Sequence, residues 1–292
     1  MMLTRDYVWI DPPFRDHLRR AGLECVASVL ACTGNRLAAW SRTTDTIWQD
    51  LIGSSSSVYI KRYHYPRCSD RLRGAFRGTF LKASRARSEF RALRLMRQLG
   101  IQAVRPIAFG ERRVAGFVRS CFLITESVPD AMPLSSFIKT FSDCADSDAA
   151  RRGRWEILTS LAKQVRHMHE AGFVHRDLFW RNVLIRVLPG DRFEFYFLDA
   201  SVGKRIRLLQ RRQDSIVRDI AAMGVLTPKF CSKADQLRFL LTYLNKKHLD
   251  ARDCEWLRRV QAKSDLFRDT EVQRLERGHV FDPPILTEVG RT

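Results

Sequence analysis

His175-Arg176-Asp177-Leu178-Phe179-Trp180-Arg181-Asn182 is the stretch on which the reading of this 292-residue chain turns. It follows Gly172-Phe173-Val174, and Asp177 and Asn182 stand five positions apart. A carboxylate and a side-chain amide at that interval suit a site where one group accepts a proton from an attacking hydroxyl and the other holds a metal against phosphates. The bland reading is that both are turn formers, because Asp and Asn readily hydrogen-bond their own backbone in loops. What flanks the stretch decides between the two.

Just upstream, Trp155, Leu158, Leu161, Ala162, Val165 and Met168 form the apolar stripe of a helix that Gly172 stops. Downstream, Phe193-Glu194-Phe195-Tyr196-Phe197-Leu198 reads as a strand running into Asp199-Ala200-Ser201. Farther back, Thr46 to Ile52 and Val58 to Tyr63 are β-rich runs around Gly53-Ser54-Ser55-Ser56-Ser57, which predicts an antiparallel hairpin with a polar loop. The pattern turns helical from Lys82 to Gln98, with Ala86, Phe90, Leu93 and Met96 on one stripe and Gly100 as its stop. A second strand pair is predicted over Gln102 to Phe109 and Phe117 to Glu126, and Pro129-Asp130-Ala131-Met132-Pro133 then punctuates the chain. The expectation is an α+β protein of two lobes. Residues 1–128 make a small β-rich lobe with an N-terminal extension, and residues 129–292 a larger helical lobe.

Two further residues join the candidates. Lys61 ends Val58-Tyr59-Ile60-Lys61, and Glu89 is the only acid between Arg71 and Gly110. Glu89 lies within the apolar stripe of its helix, so it is expected to point at the sheet; the bland alternative is a surface pair with Arg85 at i−4, worth at most ~0.5 kcal/mol. Asp219-Ile220-Ala221-Ala222-Met223-Gly224, read as the opening of a helix, is weak alone.

Taken in order over roughly Thr43 to Gly224, these elements resemble the protein-kinase-like superfamily. The loop matches His-Arg-Asp-Leu-x-x-x-Asn at every fixed position, and Val58-Tyr59-Ile60-Lys61 is similar to the Val-Ala-Ile-Lys strand. The resemblance implies ATP and Mg2+: Asp177 as the catalytic carboxylate, Asn182 and Asp199 on the metal, Lys61 on the phosphates with Glu89 as its partner, and His175 and Asp219 in structural support. It also implies nucleotide contacts at Ser41, Arg42, Thr43, Glu126, Val128 and Leu184.

Departures select a branch. No Gly-x-Gly-x-x-Gly occurs where the phosphate loop belongs; Trp40-Ser41-Arg42-Thr43-Thr44 stands there, and Tyr59 replaces the usual Ala. Only 20 residues separate Asp199 from Asp219, and no Ala-Pro-Glu is present, which leaves no room for a segment that docks a protein substrate. A small-molecule or glycan hydroxyl fits better. Val58 to Tyr63, Arg87 to Leu93, Leu99 to Ile101, Pro106 to Gly110, Phe122 to Glu126, Gly172 to Leu178, Arg218 to Ala222 and Leu237 to Leu241 are similar to the lipopolysaccharide core kinases, the heptose and Kdo kinase family. That resemblance implies ATP-dependent phosphorylation of a core sugar in an anionic glycan or glycolipid, in the cytoplasm and in peripheral contact with the inner membrane. The alternatives are an aminoglycoside phosphotransferase-like enzyme and a catalytically silent kinase fold.

Composition weighs among these readings. Hydrophobic residues at 45% and charged residues at 28% describe a globular chain with a sizeable core. The net charge of +19 steers phosphate-rich partners and argues against cationic aminoglycosides. From Lys61 to Arg119 sixteen Lys or Arg face three acids, with the basic residues concentrated in the insertion Arg67 to Arg87. That surplus suits an anionic glycolipid or leaflet; nucleic acid is not the expected partner. Seven cysteines lie singly, which suits a reducing compartment. The first residues lack the apolar run of a signal peptide, so a soluble or peripherally bound protein is expected. His167, His169, Glu170 and His175 look like a metal cluster but do not share a helix face, and they read as structural histidines. Asp143, Asp146 and Asp148 lack the rest of a calcium loop and read as a polar loop.

Overall fold

The computed structural model describes residues 4–41, 44–51, 56–65, 82–142, 148–190 and 192–276. They divide into two compact units, one taking the described residues up to Leu95 with Val104–Val128, the other taking Met96–Ala103 and the described residues from Pro129 to Glu276.

The first unit is built on a six-stranded antiparallel sheet. Its strands are β1 (Thr4–Ile10), β2 (Arg36–Ser41), β3 (Thr44–Asp50), β4 (Ser57–His64), β5 (Pro106–Val114) and β6 (Phe117–Glu126), in the order β1-β5-β6-β4-β3-β2. Its helices are α1 (Arg15–Arg20), α2 (Val26–Ala31) and α3 (Arg85–Gln98). Side chains alternate across a strand, and the alternation sorts the two faces. Val58 and Ile60 of β4 and Phe122 and Ile124 of β6 form a core with Phe14, Leu18, Val26 and Val29. The N-terminal extension thus supplies both an edge strand and the cover for one face. The opposite parity of β4, Lys61 and Tyr63, meets Glu89 of α3. Gly110 is obligatory in β5, because a Cβ there would lie 2.3 Å from the fully buried Phe122 ring.

Helix α3 starts at Arg85 rather than Lys82. Ser84 caps it, its hydroxyl accepting the Arg87 N–H at 3.1 Å. At the other end Gly100 takes a positive φ of 73°, and the Ile101 N–H returns to the Met96 carbonyl at 2.9 Å. That turn is why the strand expected from Gln102 begins only at Pro106: Ala103 forms an isolated bridge with Phe197 instead.

The second unit contains β7 (Ala131–Pro133), α4 (Leu134–Ser142), α5 (Asp148–Glu170), β8 (Phe173–Val174), β9 (Val183–Leu188), β10 (Arg192–Phe197), β11 (Lys204–Arg205), α6 (Leu209–Gly224), α7 (Thr227–Phe230), α8 (Lys233–Leu244) and α9 (Ala251–Glu276). Two small sheets, β10-β9-β7 and β11-β8, sit among the helices. Gly172 ends α5 with φ 80°, as its position predicts. Asp219 does not open a helix: α6 begins at Leu209, and Asp219 lies near its end. No Gly or Pro interrupts Leu209 to Met223, and Ile216, Ile220 and Met223 continue the apolar stripe, so the helix extends back past the Asp. No helix among the described residues is long and apolar enough to cross a membrane.

Candidate functional site

The loop between β8 and β9 takes its shape from one buried carboxylate. Asp219 has no exposed surface, and its Oδ2 and Oδ1 accept the backbone N–H groups of His175 at 2.7 Å and Arg176 at 2.6 Å. His169 Nε2 adds a bond to Oδ2 at 3.2 Å, and the Tyr243 hydroxyl lies 2.8 Å from His169 Nδ1. Burial, then the Asp219 and Glu170 charges, push the Tyr243 phenol well above its ordinary pKa, so it stays a donor. A neutral His169 therefore carries its proton on Nε2, toward Asp219, and accepts from Tyr243 at Nδ1. Those bonds hold Arg176 at φ 67°, a conformation non-glycine residues rarely adopt. His175 Nε2 lies 2.9 Å from the Leu198 carbonyl, which ties the loop to the strand leading into Asp199. His169 and His175 thus act as hydrogen-bonding core residues.

Asp177 and Asn182 come together as their spacing predicts. A 3-10 turn at Trp180–Asn182 folds the amide back, so that Asn182 Nδ2 donates to the Asp177 carbonyl at 2.8 Å and to its Oδ2 at 3.0 Å. Both hydrogen bonds run from the amide nitrogen toward Asp177, and the amide oxygen Oδ1 is an acceptor only. Asn182 is buried, whereas the Asp177 side chain is 30% exposed and can meet a substrate. Asp199 has φ 55°, and the turn after it needs Gly203, where a Cβ would sit 2.8 Å from the Phe173 ring.

Sequence reading missed four supporting residues. Arg181 lies 3.4 Å from Asp177 Oδ2, stacks on Phe179 at 4.2 Å and pairs with the buried Glu271 of α9. Phe267, one turn before Glu271, packs on Phe179 with ring centroids 5.7 Å apart. Arg218 donates to the Arg176 carbonyl at 2.7 Å. Phe267 and Glu271 are four apart on one helix face, but nothing local marks that face as loop-facing; only its i,i+4 spacing was available as a signal.

In the first unit, Lys61 Nζ lies 3.2 Å from Glu89 Oε2, and the Tyr63 hydroxyl donates to the same oxygen at 2.7 Å. Glu89 is buried and the Lys61 side chain is 18% exposed. Tyr59 shares the Lys61 face of β4 by parity, and burial raises its phenol pKa. Glu126 closes β6 opposite Val58, its N–H bonded to the Arg105 carbonyl at 2.8 Å, and Val128 follows it half-buried. Leu184, half-buried in β9, pairs with Pro133 and Tyr196. Ser41 closes β2; Arg42, Thr43, Asp143, Asp146 and most of the basic insertion, residues 67–81, lie outside the described residues.

The chain is similar to several known proteins. A 165-residue stretch is 24% identical to the lipopolysaccharide core heptose(I) kinase WaaP of Pseudomonas aeruginosa, covering 55% of this chain and 60% of that protein. A 99-residue stretch is 28% identical to the Escherichia coli protein of the same description, covering 34% of this chain and 36% of the relative. The matches thus span between about a third and three fifths of these relatives' length. A solved structure described as WaaP in complex with acyl carrier protein superposes with a TM-score of 0.61 at 20% identity, covering 92% of this chain and 99% of that one, and so shares the fold. The model of the lipopolysaccharide kinase (Kdo/WaaP) family matches residues 34–243, most of the chain, including Lys61, Glu89, Asp177, Asn182, Asp199 and Asp219, and the chain belongs to that family.

Proposed function

We propose that this protein is an ATP-dependent kinase that transfers the γ-phosphate to a sugar hydroxyl of a lipopolysaccharide-core-like glycan. The observation that carries the reading is the pairing of a partly exposed Asp177 with Asn182 on a loop held by buried Asp219. Asp177 accepts a hydrogen bond from the acceptor hydroxyl and takes its proton as the oxygen attacks phosphorus. Lys61, oriented by Glu89, neutralises charge on the α and β phosphates. Ser41, Arg42 and Thr43 line the phosphates, while Glu126, Val128 and Leu184 contact the nucleoside. The donor set fits Mg2+, a hard cation that favours oxygen ligands: the Asn182 Oδ1 and the Asp199 carboxylate would hold it. When bound, Mg2+ supplies charge neutralisation on the phosphate oxygens.

The acceptor class rests on the family and on the +19 charge, which suits an anionic glycan or glycolipid and peripheral contact with the cytoplasmic face of the inner membrane. The test is transfer from labelled ATP to a core glycan lacking phosphate. Asp177→Asn should abolish transfer while ATP with Mg2+ still raises the melting temperature. Undiminished transfer by that variant, or efficient transfer to an aminoglycoside instead, overturns the reading.

A second partner has its own support. The helical unit carries a partly open, mainly apolar pocket of about 460 Å³, lined by Leu134, Ile138, Leu161, Met223, Phe239 and by Trp180 of the loop itself. Such a pocket accepts an apolar chain, and the structural relative was solved with an acyl carrier protein. An acyl carrier protein is therefore proposed as a partner, tested by mass spectrometry of what co-purifies with the chain from its native host.

A further inference from the structure

The stretch that follows Asp199 has an unusual surface. Between Asp199 and Asp214 no acid occurs, while Lys204, Arg205, Arg207, Arg211 and Arg212 do. Val202, Leu208 and Leu209 are 48%, 64% and 60% exposed, three of the nine large apolar side chains that stand exposed among the described residues. They are gathered within eight positions, interleaved with exposed Lys204, Arg205 and Arg207. None of Lys204, Arg205, Arg207 or Arg211 forms an ion pair among the described residues, although the neighbouring Asp214 pairs with Arg259 at 2.7 Å.

The segment is nevertheless held in place from behind. β11 pairs with β8 through Lys204 opposite Val174 and Arg205 opposite Phe173, and the Ile206 N–H bonds to the Gly172 carbonyl at 2.9 Å. Gly203 packs so closely that a Cβ would touch the Phe173 ring. The backbone is fastened, and what it presents outward is cationic and aliphatic.

We propose that residues 202–211 form the surface by which this protein docks on an anionic lipid bilayer, with Lys204, Arg207 and Arg211 against headgroup phosphates and Val202, Leu208 and Leu209 at the acyl boundary. The inference rests on the proposed glycolipid kinase reading, since it places the membrane contact in the segment that immediately follows Asp199. Charge complementarity selects an anionic surface. The aliphatic character of the exposed side chains selects lipid over nucleic acid, because bases stack on aromatic rings and this segment has none. Unpaired cations beside exposed aliphatics are the composition of an interfacial segment.

The experiment is flotation of the full chain with phosphatidylglycerol-containing vesicles and with pure phosphatidylcholine vesicles, at low and physiological salt, without ATP. The variants are Lys204→Gln/Arg207→Gln/Arg211→Gln and, separately, Leu208→Ser/Leu209→Ser. Arg205 is left intact because its stem packs near Gly172. At ~1 kcal/mol per cation near an anionic surface, each charge is worth about fivefold, so the triple variant should lose at least tenfold in vesicle affinity. The leucine variant should lose severalfold, and the wild type should bind phosphatidylcholine weakly. Melting curves establish that each variant folds, and Lys204→Gln/Arg207→Gln serves if the triple variant does not. Phosphate transfer to a soluble, delipidated core glycan should be unchanged in all variants. Equal binding to both vesicle types, or vesicle affinity untouched by both sets of substitutions, overturns the proposal. So does an RNA oligonucleotide that binds through these cations while vesicles do not. Loss of transfer in the wild type with vesicle binding intact counts against the kinase reading alone.

Discussion

The buried Asp219 carboxylate offers the sharpest test of how this loop is held. Asp219→Asn is nearly isosteric but replaces one acceptor oxygen with an NH2 group, and both oxygens face N–H donors, at 2.7 Å and 2.6 Å from the backbone of His175 and Arg176. Whichever way the amide turns, one backbone N–H meets a donor. The loss is one charge-assisted bond, about 1.5–3 kcal/mol, plus a buried unsatisfied donor at about 1–3 kcal/mol. The remaining bonds weaken as the charge disappears, and Arg176 at φ 67° loses the contact that offsets its strain. A total of roughly 3–5 kcal/mol follows, which for a chain of this size is a fall in melting temperature on the order of 10 °C. The assay is thermal unfolding by circular dichroism together with amide hydrogen exchange at His175 and Arg176. A melting temperature within a degree or two of the wild type, with both amides still protected, refutes the reasoning.

Other outcomes follow from the same geometry. Glu271→Gln releases Arg181 from its buried partner, and turnover should fall severalfold at saturating ATP while the melting shift produced by ATP and Mg2+ stays unchanged, because α9 reaches the loop through Arg181, which lies beside Asp177. Tyr63→Phe removes the hydroxyl's bond to Glu89 Oε2, so stability should drop by about 1 kcal/mol in urea titration, and Glu89→Gln should weaken ATP binding more than Tyr63→Phe does. Gly110→Ala drives a methyl into the Phe122 ring and should cost about 1–3 kcal/mol, seen as a lower urea midpoint with unchanged slope. Asn182→Ala should abolish transfer supported by Mg2+ and lower the Mg2+ dependence of nucleotide binding in calorimetry.

Chain-local features were legible without coordinates. The turn Trp180–Asn182 lies inside a five-residue interval, so the Asp177 to Asn182 bond follows from local geometry. Helix stops at Gly100 and Gly172 were equally legible, since only a residue tolerant of positive φ suits those positions. The pairing of Lys61 with Glu89, 28 residues apart, was also within reach, because two periodicities, that of a strand and that of a helix, each pointed one charged residue at the same layer. Misreadings occurred where a neighbour outside the window decided the outcome. The strand expected at Gln102 was displaced to Pro106 by the bridge from Ala103 to Phe197, and Asp219 lies near the end of α6 because the helix draws its apolar stripe from residues before it.

What the sequence alone determined is the loop from His175 to Asn182, its acidic and amide groups, and the family membership that its motifs announce, all of which depend on residues close along the chain. What only the tertiary structure decided is how that loop is held. Asp219, His169 and Tyr243 stand in one line of hydrogen bonds, and the α9 face of Phe267 and Glu271 reaches Phe179 and Arg181. These contacts join residues 50 to 90 positions apart, and long-range partners are chosen by packing, which no local pattern encodes.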